Sequence, residues 1–407
     1  MGDHVSLLSW RSSLFESLNA LAPDAILVLI GEHENDQRKN KIDLGIGVYR
    51  DESGRTPILN SVKKAERHVV DTQATKTYLG SGGNHGFNDA IQTVIFGERA
   101  STDKRITTFQ TPGGSGSLRV AAELIMRAKP NSAMWASDPT WANHVPLLGS
   151  AGLELKSYPY YDAVEKNIRF DAMLDTLNRI PSGDLVLLHG CCHNPTGMDL
   201  SRRQWQAVAD IVAERDLIPY IDFAYQGFAD GLEEDAYPVR LLFGMVPEMI
   251  VSSSCSKNFA LYRDRVGALS IISGDAATSA IVRNQALNIV RTMYSMPPDH
   301  GAAVVSQILN DPDLRKEWLA ELTAMRERLK DMRALLGASL RAAAPDHDFS
   351  HIQRAYGMFS YVGLSPEQVE RLKEEAGIYM VNSSRINIAG ITSGNVDHLA
   401  ISIAAVL

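Results

Sequence analysis

The stretch Val251–Gly267, which reads VSSSCSKNFALYRDRVG, decides how the rest of the chain is interpreted. It begins inside an apolar run, Glu248–Ser253, whose composition predicts a buried strand. Lys257 comes soon after that run among small hydroxyl residues, and Arg265 follows further along. Lysine is rarely buried without a partner, so a lysine at the end of a core strand indicates a chemical role. The ordinary alternative is a lysine whose stem is buried and whose amine reaches water.

Strand-like and helix-like segments alternate on both sides of this stretch. Alternation with apolar strands predicts an α/β fold, in which a parallel sheet is covered by helices on both faces. The predicted strands are Ile106–Thr111, Asp184–His189, Leu217–Ile221, Glu248–Ser253 and Arg265–Ile272, and the predicted helices are Ser117–Lys129, after a turn at Pro112–Gly116, and Ser201–Arg215.

A long helical pattern, Asp311–Leu336, follows the predicted sheet. Its apolar residues recur at intervals of three and four, and charged residues fill the opposite face. We expect this helix to lead into a smaller C-terminal domain, in which Met358–Val362 and Arg385–Ala389 form short strands.

Three polar residues fall at the carboxyl ends of three successive predicted strands. Asn194 follows the first of these strands, Asp222 ends the second, and Lys257 follows the third. Open α/β sheets bind their ligands at this edge, so we expect the three side chains to share one site.

Composition limits the possible partners and compartment. A chain of 407 residues is long enough for two domains, and its 45% apolar and 22% charged residues are typical of a globular enzyme. The net charge of −8 disfavours a nucleic-acid partner.

The three cysteines lack the spacing of metal ligands and are too few for a disulfide framework. We therefore expect no metal site and a reducing compartment, the cytoplasm. The longest apolar run near the N-terminus, Ala25–Ile30, is too short for a bilayer, so we expect no membrane partner. The myristoylation-like start Met1–Ser6 lacks a supporting polybasic patch and is interpreted as chance.

The residues around Lys257 indicate a particular cofactor. A desolvated amine loses its proton readily and becomes a nucleophile that can form an imine. Ser254, Ser256 and Arg265 are suitable phosphate ligands. An imine-forming lysine beside a phosphate site favours pyridoxal 5′-phosphate (PLP). Asp222 then becomes a candidate partner of the pyridinium nitrogen, although a helix cap is the usual role of an aspartate after a strand.

Other candidates have weaker signals of their own. Tyr225 and Asn194 could reach the phenolic oxygen of the cofactor, and a cis bond before Pro195 would direct Asn194 into the site. The glycine-rich Gly113–Gly116 could form an anion site at a helix N-terminus. Trp141 could stack on a pyridine ring, although a single tryptophan is more often part of a core.

Two arginines could bind substrate carboxylates. Arg385, in SSRINIAG, lies in an otherwise apolar stretch and could bind a carboxylate in two-point geometry. Pairing with a structural acid is about equally plausible for it. Arg291, in RTMYSMPP, is a similar but weaker candidate.

The ordered motifs together resemble the fold-type I PLP-dependent aminotransferases, in the aspartate and aromatic-amino-acid subgroup. The resemblance runs from about residue 22 to the C-terminus. It is carried by IDLGIGVYRDESGRTPIL, KTYLGSGG, QTPGGSGSLRVAAE, SDPTWANH, LLHGCCHNPTG, YIDFAYQGF, SSCSKNFALYRDRVG, YSMPPDHGA, GMFSY and SSRINIAG.

The resemblance implies an architecture and a set of residue roles. It implies an N-terminal arm (1–22), a large PLP-binding domain (57–319) with a mostly parallel seven-stranded sheet between helices, and a discontinuous α+β small domain (23–56 and 320–407). Lys257 is similar to the Schiff-base lysine and proton shuttle, and Asp222 to the pyridinium partner, with His144 behind it. The remaining implied roles are phenolate ligands (Asn194, Tyr225), phosphate ligands (Gly114, Ser115, Ser254, Arg265), ring stacking (Trp141), α-carboxylate binding (Arg385), a mobile segment over the substrate (Gly47), and residues donated across a homodimer interface (Tyr78 to the phosphate, Arg291 to a side-chain carboxylate).

The resemblance also implies ping-pong transamination between an amino acid and a 2-oxo acid, with 2-oxoglutarate as the expected acceptor. Arg291 favours aspartate, whereas Ser115 and several motifs favour aromatic amino acids. Met296 departs from the small or polar residue usual in the family and favours apolar side chains. We expect an aromatic and aspartate aminotransferase. The alternatives are a strict aspartate aminotransferase, another PLP reaction such as β-elimination or decarboxylation, and a non-catalytic binding or regulatory member.

Overall fold

A computed structural model describes residues 14–21 and 23–407 of the chain. The start Met1–Ser6 and most of the predicted N-terminal arm lie outside the described residues. The strands are β1 (Ile42–Asp43), β2 (Ile106–Pro112), β3 (Ala133–Asp138), β4 (Glu154–Pro159), β5 (Tyr161–Asp162), β6 (Asn167–Ile168), β7 (Leu185–His189), β8 (Ile218–Phe223), β9 (Met249–Ser254), β10 (Val266–Ile272), β11 (Phe359–Tyr361), β12 (Ile378–Tyr379) and β13 (Arg385–Asn387).

Helices make up most of the remaining described chain. They are α1 (Ala25–Asn35), α2 (Asn60–Thr72), α3 (His85–Phe96), α4 (Gly113–Ala128), α5 (His144–Gly149), α6 (Phe170–Leu177), α7 (Arg202–Glu214), α8 (Tyr237–Phe243), α9 (Ala276–Met293), α10 (His300–Asn310), α11 (Pro312–Ala343), α12 (Ser350–Arg354), α13 (Pro366–Arg371) and α14 (Val396–Val406), with a π-helical turn at Leu372–Ala376 and a 3₁₀ turn at Ile388–Gly390. Within the described residues, no helix combines the length and apolar character needed to cross a membrane.

A seven-stranded sheet forms the centre of the molecule, in the order β2-β10-β9-β8-β7-β3-β4. The five strands from β9 to β4 are parallel, and β10 is antiparallel to both of its neighbours. The predicted mostly parallel α/β sheet is therefore confirmed, and all five predicted strands lie in it. Strands β3 and β4 were not predicted. The central strands are buried on both faces because separate hydrophobic clusters cover the two sides of the sheet.

The start of α4 corrects one sequence-based boundary. No separate turn is found at 112–116, because Gly113, with a left-handed φ of +74°, redirects the backbone directly after β2 and is itself the first residue of the helix. The helix therefore begins at Gly113 rather than Ser117 and contains the other glycines in its first turn. Strand β8 continues to Phe223, so Asp222, predicted to end its strand, is the residue before the last.

Short strands near both ends of the chain pair with each other away from the central sheet. Strand β1 pairs in parallel with β12, and β11 pairs antiparallel with β13. The long helix α11, which extends seven residues beyond its predicted end at Leu336, packs against α14 and α12 on one side and α2 and α10 on the other. This arrangement brings the N-terminal segment around Gly47 beside the C-terminal strand that carries Arg385.

Candidate active site

The carboxyl ends of β7, β8 and β9 meet at one edge of the sheet. Their parallel register sets His189 opposite Asp222 and Asp222 opposite Ser252. A cavity of about 290 Å³ lies at this edge, where open α/β sheets bind ligands. It is lined by Ile26, Gly47, Gly114, Ser115, Leu118, Trp141, Asn194, Asp222, Ala224, Tyr225, Ser254, Ser256, Lys257, Tyr262, Arg265, Phe359 and Arg385.

Lys257 reaches the cavity just after β9. Its Nζ lies 4.7 Å from the centre of the Tyr225 ring. Burial lowers the pKa of Lys257 below its ordinary value, and the Asp222 carboxylate opposes that shift while Arg265 adds to it. A larger fraction of the amine is therefore neutral and nucleophilic than for a lysine on the surface. Burial also raises the pKa of the Tyr225 hydroxyl, which stays protonated.

Asp222 is held by a histidine behind the cavity. His144 Nε2 lies 3.0 Å from Asp222 Oδ2, and its ring is fully buried at the start of α5. Burial alone would raise the pKa of Asp222, but the hydrogen bond and charge of His144, with smaller contributions from His189 and Lys257, lower it below the ordinary value. Asp222 is therefore a carboxylate at neutral pH and can stabilise a positive charge in the cavity.

A hydrogen-bonded chain continues from His144 to the Asn194 backbone. Thr140 Oγ1 lies 2.8 Å from His144 Nδ1 and 3.1 Å from His189 Nε2, and the Asn194 N–H donates to His189 Nδ1 at 3.3 Å. His189 Nδ1 is thus an acceptor, and burial lowers the pKa of this histidine to about 3, which keeps it neutral. Its proton is therefore on Nε2, facing Thr140. These hydrogen bonds connect the loop that carries Asn194 to the carboxylate of Asp222.

Asn194 and Trp141 both reach the cavity from loops that contain a cis proline. The Asn194–Pro195 bond is cis, as its motif suggested, and the Asp138–Pro139 bond is cis as well. Asn194 Oδ1 is buried and makes no hydrogen bond to the described residues. An unsatisfied buried amide group costs stability, so a ligand in the cavity is the natural partner for it.

The other end of the cavity is an anion site formed by α4 and Arg265. No side chain caps the N-terminus of α4, and Gly114 and Ser115 in its first turn line the cavity. Arg265 donates to the Tyr262 carbonyl at 3.0 Å. The left-handed φ of +74° favours glycine at position 113, where a Cβ would also lie 2.5 Å from Arg265 Nη2. The exposed N–H groups of the helix and the adjacent cation attract an anion such as phosphate.

Arg385 extends into the cavity without a carboxylate partner among the described residues. Its Nη2 donates to the Gly45 carbonyl at 2.6 Å, and its guanidinium lies 4.4 Å from the centre of the Phe359 ring. Nε is buried and unpartnered within the described chain, and burial lowers the pKa of the side chain. Such a guanidinium is suited to a carboxylate ligand.

The structure brings the sequence-predicted residues together with two exceptions. Tyr78 is 87% exposed, Arg291 is exposed at the end of α9, and neither lines this cavity. His144 contacts Asp222 from behind rather than the cavity itself. Both exposed residues were expected to act across a dimer interface, and that role stays a prediction.

Several residues of the site were not predicted from the sequence. Tyr262, Phe359 and Ile26 line the cavity, while Thr140 and His189 form the chain behind Asp222. Position alone could have suggested Tyr262, which lies between Lys257 and Arg265, and His189, which ends β7. The contact of Phe359 with Arg385 depends on the pairing of β11 with β13, which no local sequence pattern specifies.

These features fit PLP. The lysine could meet the aldehyde of PLP, and the carboxylate could meet its ring nitrogen. The buried amide could meet its phenolic oxygen, and the anion site could meet its phosphate. Within the described residues, no group of three or more His, Cys, Asp or Glu is arranged to hold a metal ion.

Comparison with known proteins identifies relatives over nearly the whole chain. The sequence pattern of the family described as "Aminotransferase class I and II" matches residues 39–403. The chain is 47% identical to the aspartate aminotransferase of Escherichia coli K12, over 97% of this chain and 100% of that protein. It is 46% identical to the aromatic-amino-acid aminotransferase of Pseudomonas aeruginosa, over 97% of this chain and 99% of that protein.

A solved structure agrees with these sequence matches. The aromatic-amino-acid aminotransferase from Burkholderia pseudomallei, covalently bound to pyridoxal phosphate, superposes with a TM-score of 0.95 at 42% identity. The match covers 97% of this chain and 100% of that one.

Proposed function

Because the chain belongs to the family of class I and II aminotransferases, we propose that it transfers the amino group of aromatic amino acids and aspartate to 2-oxoglutarate. The observation that carries the proposal is the shared cavity of Lys257 and Asp222, which pairs a buried amine with a buried carboxylate. Relatives named for aspartate and for aromatic amino acids match equally well, which supports a substrate range that includes both.

PLP is the proposed cofactor, and the cavity residues are its proposed ligands. When bound, PLP supplies the carbonyl that condenses with the amino group and a ring that accepts electrons. Lys257 would hold the aldehyde carbon covalently, and Asp222 would hold the protonated ring nitrogen. The other proposed ligands are Asn194 and Tyr225 for the phenolic oxygen, Gly114, Ser115, Ser254 and Arg265 for the phosphate, and Trp141 for the ring face.

Lys257 is the proposed proton carrier of the reaction. Its amine would accept the proton from the Cα atom of the amino acid and would deliver it to the carbon that entered as the aldehyde, so its pKa must be low enough for the neutral form to be available. The buried position of the amine supplies that condition. Asp222 remains charged during the reaction, because His144 holds its carboxylate, and so keeps the ring nitrogen protonated.

Substrate binding is proposed to use both ends of the chain and a second copy of it. Arg385 binds the α-carboxylate, with Gly47 beside it. In a homodimer, Tyr78 and Arg291, which are exposed in the single chain, would face the neighbouring site, Tyr78 at the phosphate and Arg291 at a side-chain carboxylate.

We also propose the division into an N-terminal arm (1–22), a small domain (23–56 and 320–407) and a large domain (57–319), and a cytoplasmic location.

Steady-state kinetics test the substrate proposal. We expect kcat/KM with 2-oxoglutarate as acceptor to be similar, within about tenfold, for phenylalanine, tyrosine and aspartate, because the α-carboxylate and the reacting atoms bind alike. Activity with aspartate alone would contradict the aromatic part of the proposal. Activity with none of the three would contradict the proposal itself.

A further inference from the structure

A short segment, Gly45–Val48, passes over the cavity and presents Gly47 to it. The segment lies tightly against its surroundings, since a Cβ on residue 47 would be 2.9 Å from Phe359 Cζ. On its N-terminal side, Asp43 Oδ1 accepts the Gly45 N–H at 2.9 Å. The position of the Gly47 peptide therefore depends on what holds the carbonyl groups on either side of it.

Asn387 holds those carbonyl groups. Its Nδ2 donates to Ile46 O at 2.6 Å and to Val48 O at 2.7 Å, while its Oδ1 accepts the Ala389 N–H at 3.0 Å. The side chain is 1% exposed, so every hydrogen-bonding group of the amide is used inside the protein. The Ala389 N–H also fixes which end of the amide faces the segment, since only the amide oxygen can accept that bond.

The same strand carries Arg385. Residues 385 and 387 are two positions apart in β13, so their side chains project from the same face. Arg385 Nη2 donates to Gly45 O, and the Asn387 N–H donates to Leu44 O at 2.8 Å. One three-residue strand therefore holds the Leu44–Val48 backbone through four carbonyl groups and also presents the Arg385 guanidinium, whose Nε has no partner among the described residues.

We propose that Asn387 is a positioning residue for substrate binding, which fixes Gly47 relative to Arg385 so that both meet the substrate α-carboxylate as one preformed unit. The inference rests on the function proposed above. Asn387 does not line the cavity and acts through the backbone of the Gly47 segment. A preformed site avoids the entropic cost of ordering that segment when the substrate binds. The contribution is the same for every substrate, because it depends on the α-carboxylate and not on the side chain.

Two substitutions at position 387 test the proposal. Asn387→Asp keeps the shape but turns an oxygen towards two carbonyl groups, and Asn387→Ser keeps one donor and should fold if Asn387→Asp does not. We expect KM for aspartate, phenylalanine and 2-oxoglutarate to rise about tenfold, the effect of two lost neutral hydrogen bonds, while kcat changes little. The Kd of 3-indolepropionic acid, a carboxylic acid without an α-amino group, should rise on the holoenzyme by the same factor.

Asn395→Asp is the matched control. Its amide lies in the same part of the fold, where Nδ2 donates to Gly390 O and Oδ1 accepts the Thr392 N–H, but it does not contact the Gly47 segment. We expect unchanged KM and Kd for it. Asn387 variants that lose only thermal stability, with wild-type KM and Kd, would overturn the proposal. A wild-type enzyme that binds 3-indolepropionic acid but does not transaminate would contradict the proposed function instead, and the Kd comparison would still decide the role of Asn387.

Discussion

At the residue scale, the site combines charged groups that are costly to bury with partners that compensate part of the cost. Lys257 is buried close to the Asp222 carboxylate, which favours its charged form, but burial still lowers its pKa. Asp222 has the stronger partner, since His144 donates directly to it. The two groups therefore respond differently to the same environment: the carboxylate stays ionised, while the amine becomes easier to deprotonate.

This difference predicts a pH-dependent stability. A lysine in the unfolded chain has a pKa near 10.5, and the folded pKa of Lys257 is lower. Between these two values the unfolded chain binds more protons, so the free energy of unfolding of the cofactor-free protein rises with pH. Below the folded pKa, the full cost of burying the ammonium is present. We therefore expect Lys257→Met to raise the melting temperature of the cofactor-free protein at pH 7, by a gain that shrinks as the pH approaches 10.5.

Paired thermal melts across that pH range, with and without the substitution, make the comparison. Lys104→Met, at an exposed position, is the control and should show no pH-dependent gain. A Lys257→Met variant that is less stable than the parent at pH 7, or whose gain does not change with pH, would show that the folded pKa of this lysine is not lowered.

At the scale of elements, the sequence predicted best where a strand is buried on both faces. Strands β7, β8 and β9 coincide with largely apolar runs of sequence. The polar residues at or just after the ends of these strands identified the edge of the sheet where the cavity lies. The predicted start of α4 was wrong because four small residues after a proline resemble a turn. Only the left-handed backbone conformation of Gly113 reveals that a single residue redirects the chain from β2 into α4.

Other parts of the site depend on contacts between distant segments. Phe359 meets Arg385 because β11 and β13 pair, and Asn387 bonds Ile46 O and Val48 O because β13 lies beside a segment some 340 residues away in the chain. Neither contact leaves a periodic pattern in the local sequence. The role of Arg385 was therefore undecided between a structural and a ligand partner when only residue types were considered. Its unpaired, buried Nε now favours the ligand.

At the scale of the whole molecule, the exposed positions of Tyr78 and Arg291 matter most. Tyr78 and its sequence neighbour Leu79 are both large apolar side chains that are exposed in the single chain. Exposed apolar side chains mark a protein interface where they form a contiguous patch. A second copy of the chain is the proposed partner, and the closed symmetry of a dimer would let each copy complete the site of the other.

Mixed dimers test this shared site. We expect Lys257→Ala and Arg291→Ala homodimers each to lose about a hundredfold or more in activity with aspartate, from loss of the amine or of a buried charge partner. In a hybrid, the subunit that keeps Lys257 receives the intact Arg291 of its partner. Random reassociation of equal amounts should therefore recover about a quarter of wild-type activity, because half of the dimers have one intact site.

Affinity tags of different length on the two variants let native mass spectrometry separate the hybrid from both homodimers, which shows whether subunits have exchanged. If the two variants mix but recover no activity, Arg291 acts within its own subunit or not at all.

The most direct measurement of the proposed chemistry is a single half-reaction. The holoenzyme is incubated with aspartate or phenylalanine in the absence of a 2-oxo acid, and the products are quantified. We predict about one 2-oxo acid per subunit and none from Lys257→Ala, because the amino group is retained by the enzyme until an acceptor arrives. Release of ammonia or carbon dioxide by the wild-type protein, or an undiminished yield from Lys257→Ala, would contradict transamination through Lys257.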